Sequence, residues 1–131
     1  KDINMNVKTM ITGLALSILL SSGAANADWG DVYYCQMTNF SEVTSDGVLE
    51  RYKLKTFQFK LDQARNEMVF GSDGFFADTL IGLTEKKSFP SQEVWVANNE
   101  FQMVTFDAGK FLLARHSFFG IVSVSANCDK F

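Results

Sequence analysis

Few side chains in this sequence are equipped for chemistry. His116 is the single histidine, so any serine or cysteine nucleophile activated by an imidazole would have to use it. It follows Arg115 in a run without a nucleophile signature, and G-x-S-x-G is absent. His116 therefore reads as a residue on an exposed strand face or at a barrel mouth. The close carboxylate pairs, Asp73 with Asp78 and Asp28 with Asp31, have the right residue type for general acid and base. That role also requires a cleft that raises one pKa, which spacing cannot supply, and solvated turns and strand ends explain them more simply. Asp73-Gly74 lacks the ligand series of a calcium loop. Asn39-Phe40-Ser41 matches a glycosylation acceptor, which has meaning only in a eukaryotic secretory pathway. No catalytic residue, cofactor or metal is expected, and the protein is read as a non-enzyme.

Cys35 and Cys128 are the only cysteines. They lack the C-x-x-C spacing of a thiol oxidoreductase, and with one histidine they cannot complete an ordinary zinc site. The start of the chain suggests their fate. Lys8 precedes an apolar run from Met10 to Leu20, and Ser21 to Ala27 closes on an A-x-A signature. Residues 1–27 thus read as a signal peptide cut before Asp28. The opening Lys1-Asp2-Ile3-Asn4 is compatible with a true start at Met5. The apolar run is too short to span a bilayer, and Asp28 stands where a lipoprotein would need cysteine. A periplasmic or secreted product follows, in a compartment where an isolated cysteine pair forms a disulfide.

Residues 28–131 are enough for one domain with one core. Lys1, Lys8 and Asp2 leave with the leader, so 10 basic residues face 14 acidic ones with no basic block. Nucleic acid and anionic membrane surfaces are disfavoured, since both require clustered cations.

Past Asp28 the hydrophobic pattern alternates with period two, and thirteen Phe with a single proline, Pro90, complete an all-β composition. Strands are predicted near Val32 to Thr38, Tyr52 to Leu61, Glu67 to Gly71, Phe75 to Thr84, Glu93 to Ala97, Phe101 to Phe106, Phe111 to Ser117 and Phe119 to Cys128. Ser72-Asp73-Gly74 reads as a turn, and the segment around Pro90 as a break. Asp107-Ala108-Gly109-Lys110 joins the clearest hairpin, with glycine free to take a positive φ. Tyr33, Cys35 and Met37 share one face of the first strand; Val122, Val124, Ala126 and Cys128 share one face of the last. Both thiols then point inward, and a bridge between them makes the first and last strands neighbours. The predicted fold is a small antiparallel up-and-down barrel or closed sandwich of about seven or eight strands.

In architecture this resembles lipocalin-like and avidin-like barrels, although the G-x-W of lipocalins is absent and Trp29-Gly30 runs in the opposite order. A transmembrane barrel would match the terminal Phe131, but Asp129, Asn127 and Ser125 are polar where that signal is apolar. The leading functional expectation is a non-enzymatic binding protein for a small hydrophobic ligand. Phe57, Phe59, Phe101 and Phe111 would surround the apolar body, and Arg115 or His116 would meet a polar end near the rim. The alternative is an envelope protein-interaction or inhibitor module with an outward aromatic patch that includes Trp95 and Tyr34. A filled interior favours the second.

Overall fold

The computed structural model describes residues 26–77, 80–89 and 92–131, which form strands and turns with no helix. The strands are β1 (Val32–Thr44), β2 (Leu49–Arg51), β3 (Thr56–Asp62), β4 (Glu67–Gly74), β5 (Leu80–Phe89), β6 (Gln92–Asn98), β7 (Gln102–Asp107), β8 (Lys110–Ser117) and β9 (Gly120–Lys130). Alternation is the cause. In β3, Phe57, Phe59 and Leu61 are buried between exposed or half-buried neighbours, and β9 buries Val122, Val124, Ala126 and Cys128 in the same rhythm.

From β3 to β9 each strand pairs antiparallel with the next, and β9 pairs back onto β1, which pairs with β3. The result is a nearly closed eight-strand barrel-like sheet of up-and-down order, with β2 as a short extra strand on β1. Among the described residues its shortest seam is β4–β5, from Glu67 opposite Gly82 to Val69 opposite Leu80.

Several boundaries differ from the sequence expectation: β2 was not foreseen, β3 begins at Thr56 rather than Tyr52, and Phe75 to Ala77 are turn rather than the start of a strand. β1 continues past Thr38 to Thr44 because β9 supplies partners for the polar Ser41 and Glu42, opposite Ser123 and Val122. Ser72–Gly74 is strand rather than turn, and the chain reverses at residues 75–77. β5 runs on to Phe89, paired with β6 from Glu85 opposite Val96 to Phe89 opposite Gln92. A register shift between Leu83 and Glu85 breaks the alternation there, which hides the strand from a period-two reading. Pro90 lies outside the described residues.

Cys35 and Cys128 are directly opposed in the β1–β9 ladder and bonded, with Cα atoms 4.0 Å apart. The Cys128 amide donates to Gly109 O, away from β1, so this is the closer, non-hydrogen-bonded type of cross-strand pair. Both sulfurs are buried in the core. The β7–β8 turn has Ala108 at φ 44° and Gly109 at φ 76°, the two positive values a tight two-residue hairpin demands.

Aromatic rings occupy the interior. Phe59 meets Phe106 at 5.0 Å, Phe111 at 5.8 Å and Phe70 at 5.9 Å between ring centroids. Phe57 meets Phe111 at 4.8 Å and Phe76 at 4.9 Å. Among the described residues no polar or charged residue is buried. A membrane barrel has the opposite arrangement, a polar lumen and an apolar outside; here Gln36, Lys60 and Asn127 are exposed on β1, β3 and β9.

The two ends of the barrel differ. At one end Trp29 packs edge-on against Trp95, centroids 4.8 Å apart. Asp31 there bonds Lys130 Nζ at 2.8 Å and accepts from the Asp28 amide at 2.8 Å. The other end gathers the turns at residues 45–48, 99–101 and 118–119, with strand β2 beside them.

Candidate functional site

This second end carries most of the exposed large apolar side chains among the described residues, with Tyr34, Leu112 and Phe131 exposed elsewhere. Phe118 is 98% exposed and Phe119 78%, in the β8–β9 turn. Phe101, before β7, is 55% exposed, with Met103 and Ile121 exposed beside it and Val43, Val48 and Leu49 exposed farther along, at β1 and β2. The ladders place these residues in a row: Leu49 opposes Val43, Val43 opposes Ile121, and Ile121 opposes His116. His116 in turn donates its amide to Phe101 O at 2.9 Å. Outward positions on neighbouring strands lie about 4.8 Å apart, so Leu49, Val43 and Ile121 form a continuous apolar row across the outside of β2, β1 and β9 that ends at the His116 imidazole on β8.

The turns that present it are tied internally. The Ser45 amide donates to Phe119 O at 2.8 Å, and the Phe119 amide to Ser117 Oγ at 3.2 Å. Asn99 Oδ1 accepts from the amides of Phe101 and Gln102, both at 3.0 Å. Backbone groups in these turns therefore find partners without help from a binding partner, which leaves the rings free to meet apolar matter.

An open cleft of about 410 Å³ lies at the rim, lined by Phe101, Arg115, His116, Ser117 and Phe118. His116 Nε2 donates to Glu100 O at 3.2 Å, which fixes the imidazole as a wall. Its ring centroid is 6.0 Å from that of Phe101. Among the described residues the Arg115 guanidinium has no ion pair and no hydrogen bond. A second groove of about 290 Å³ adjoins the first, where Glu100, Met103 and Ile121 join the wall.

The residues singled out for ligand binding thus divide. Phe101, Arg115 and His116 come together at the rim; Phe57, Phe59 and Phe111 lie buried and in contact with other rings. Phe101 was expected to face inward and does not. β7 buries Val104 and Phe106, the opposite phase, since the segment Phe101 to Phe106 holds large apolar residues on both faces. Trp95, expected outward, is 1% exposed; β6 turns Trp95 and Ala97 to the core and leaves Val94 and Val96 half-buried. Tyr34 is exposed as expected but sits near Phe131, centroids 5.3 Å apart, away from the apolar end. Phe119 was expected to open the last strand, which begins instead at Gly120. The place of Phe118 and Phe119 in a turn, rather than a strand that would send one ring inside, is what exposes both.

Of the carboxylate candidates, Asp28 and Asp31 have structural roles, and Asp73 is exposed at the end of β4. Asp78 lies outside the described residues. Burial works to raise the Asp31 pKa, but the Lys130 ammonium, the Asp28 amide and the Tyr33 hydroxyl together bring it below the ordinary carboxylate value. Burial, and then the Asp31 carboxylate, push the Tyr33 hydroxyl up to about 12. Beside Phe40, Tyr52 Oη lies 2.6 Å from Glu42 and 2.9 Å from Glu50, and these bonds, Glu42 first, hold its hydroxyl well above the usual tyrosine range. Asn39 of the N-F-S triplet gives its side-chain amide to Ser41 Oγ and Ser123 O, both at 3.2 Å. Among the described residues no three metal-ligating side chains cluster, and no helix is long and apolar enough to cross a membrane.

Fold and surface together define a disulfide-closed, all-β barrel-like domain with one apolar end. Comparison with protein families, curated proteins and solved structures finds no match to this chain.

Proposed function

We propose that this protein is a non-enzymatic binding protein, periplasmic or secreted, that works from the outside of its apolar barrel end. One observation carries the reading: the interior is occupied by interlocked rings, while Phe101, Phe118, Phe119 and Ile121 stand exposed together at one end. A ligand inside the barrel would have to displace Phe57, Phe59 and Phe111, whose close packing is worth several kcal/mol. Contiguous exposed apolar surface is uncommon on soluble domains and marks sites of contact. Export is supported by the leader pattern and by the buried Cys35–Cys128 bond, a type of bond that persists outside reducing compartments.

The test is recovery of bound lipid and protein from cell-envelope extract by the tagged protein, alongside two variants. F118S/F119S changes largely exposed side chains and should cost little stability, yet it is expected to recover nothing. F111L alters the interior and is expected to recover what the wild type does. Equal recovery by F118S/F119S, or loss confined to F111L, overturns the reading.

A further inference from the structure

Beyond the apolar end itself, the geometry points to a second interface on the side of the barrel. The outer face of β7, β8 and β9 takes a second copy of this chain, packed sheet face on sheet face about a two-fold axis.

The ladders define this face. Met103 opposes Ala114, Ala114 opposes Ser123, and Ser123 opposes Ser41. One step toward the β7–β8 turn, Thr105, Leu112, Ser125 and Asn39 repeat the row; one step the other way lie His116, Ile121 and Val43. Alternation puts all of them outside, since Val104, Leu113 and Val124 between them are buried. None is Asp, Glu, Lys or Arg, and the first charged row comes beyond, at Asp107 and Lys110. Glu100 and Arg115 border the face without joining it, Glu100 before β7 and Arg115 on the inward phase opposite buried Val122. The chain has a net charge of −3, so two copies repel least where neither presents a charge. An uncharged face also has no charge by which to select a different protein, whereas a second copy always brings a matching one.

Shape and area agree. Met103 and Leu112 are each 53% exposed and Ile121 57%, standing beside the small Ala114 and Ser123. Two hollows result, of about 290 and 260 Å³, both bordered by Met103 and Ala114. A two-fold axis near Ala114 sets Met103 and Leu112 of each copy into the hollows of the other, an isologous contact. β7, β8 and β9 are paired on both sides, which leaves face contact as the mode of association there. Val96 and Asn98 of β6 extend the rows beyond Thr105 and Met103. Five strands about 4.8 Å apart, with three outward positions about 6.8 Å apart on each, cover roughly 500 Å². Two such faces bury about 1,000 Å², the lower bound for a specific interface, so the dimer is a weak one with micromolar dissociation. The Asn39 side-chain amide already bonds Ser41 Oγ and Ser123 O, and closing the face leaves that donor paired.

Sedimentation velocity of the purified protein from about 5 to 500 µM, a range that brackets micromolar dissociation, tests this. The sedimentation coefficient should climb from monomer to dimer across that range. A114K sets like charges against each other in the middle of the contact and should weaken dimerisation about tenfold or more; L112S should weaken it in the same direction. Q36K, one row outside the face on β1, should leave it unchanged, as should F118S/F119S in the turn beyond it. Ala114, Leu112 and Gln36 are exposed, and an unchanged melting temperature at the lowest concentration would show that each variant is folded. A monomer throughout the range, or a dimer that survives both A114K and L112S, overturns the inference. A dimer lost in F118S/F119S places the contact at the turns and overturns it as well. Because only the purified protein is weighed, recovery from envelope extract can fail while the dimer stands, and the reverse.

Discussion

Removing the bond between Cys35 and Cys128 should cost this domain a large part of its stability without changing its topology. The cross-link spans a sequence separation of 93, and the chain-entropy relation converts a loop of that length into about 4.6 kcal/mol at 25 °C. Against a typical total of roughly 5–15 kcal/mol for a folded domain, that share is decisive. The native state should keep its shape, because β9 pairs with β1 from Tyr33 to Thr44 with one bulge, independently of the sulfurs. Urea denaturation of the wild type and of C35A/C128A measures the effect. The variant should lose about 3–5 kcal/mol, and its denaturant slope should rise, because an unfolded chain without the cross-link exposes more surface. Far-ultraviolet circular dichroism of the folded variant should be unchanged. A loss below about 1 kcal/mol together with an unchanged slope would refute the argument, since the bond would then restrict nothing in the unfolded chain.

Two further outcomes follow from local geometry. Ala108 holds φ 44° in the β7–β8 turn, a region that costs a side-chain-bearing residue about 1–2 kcal/mol; Ala108→Gly should raise the unfolding free energy by several tenths of a kcal/mol or more after the added chain entropy of glycine is subtracted, as read from the urea midpoint. Tyr33 ionises at about 12 in the folded protein against an ordinary value of 10.0. Its neutral form is the one the fold holds, so this contribution is complete below pH 10 and is lost as pH climbs toward 12. The melting temperature of the wild type should fall through that window, and Tyr33→Phe should flatten the fall.

Much of the scaffold was legible in the residues. The phase of Tyr33, Cys35 and Met37 and that of Val122 to Cys128 place both thiols in the core from alternation alone, because a strand sends successive side chains to opposite faces. The hairpin around Asp107 to Lys110 was equally readable, since its glycine can take the positive φ a tight turn needs; the positive φ of Ala108 was not. Where a strand is apolar on both faces the rule has nothing to act on. Phe101 to Phe106 and Glu93 to Ala97 were such segments, and there Phe101 and Trp95 were assigned to the wrong sides.

What the sequence determined by itself was the all-β class, the inward pair of cysteines and the scarcity of catalytic groups, all consequences of local pattern and side-chain chemistry. Tertiary structure decided which apolar residues the barrel has room for. The interior is finite, and Phe57, Phe59, Phe70, Phe76, Phe106 and Phe111 fill it together with Trp95. Which rings remain outside, and that Phe101, Phe118 and Ile121 gather with Arg115 at one end, depends on the ring of pairings that brings β1 beside β9, a relation between residues far apart in the chain that no local period encodes.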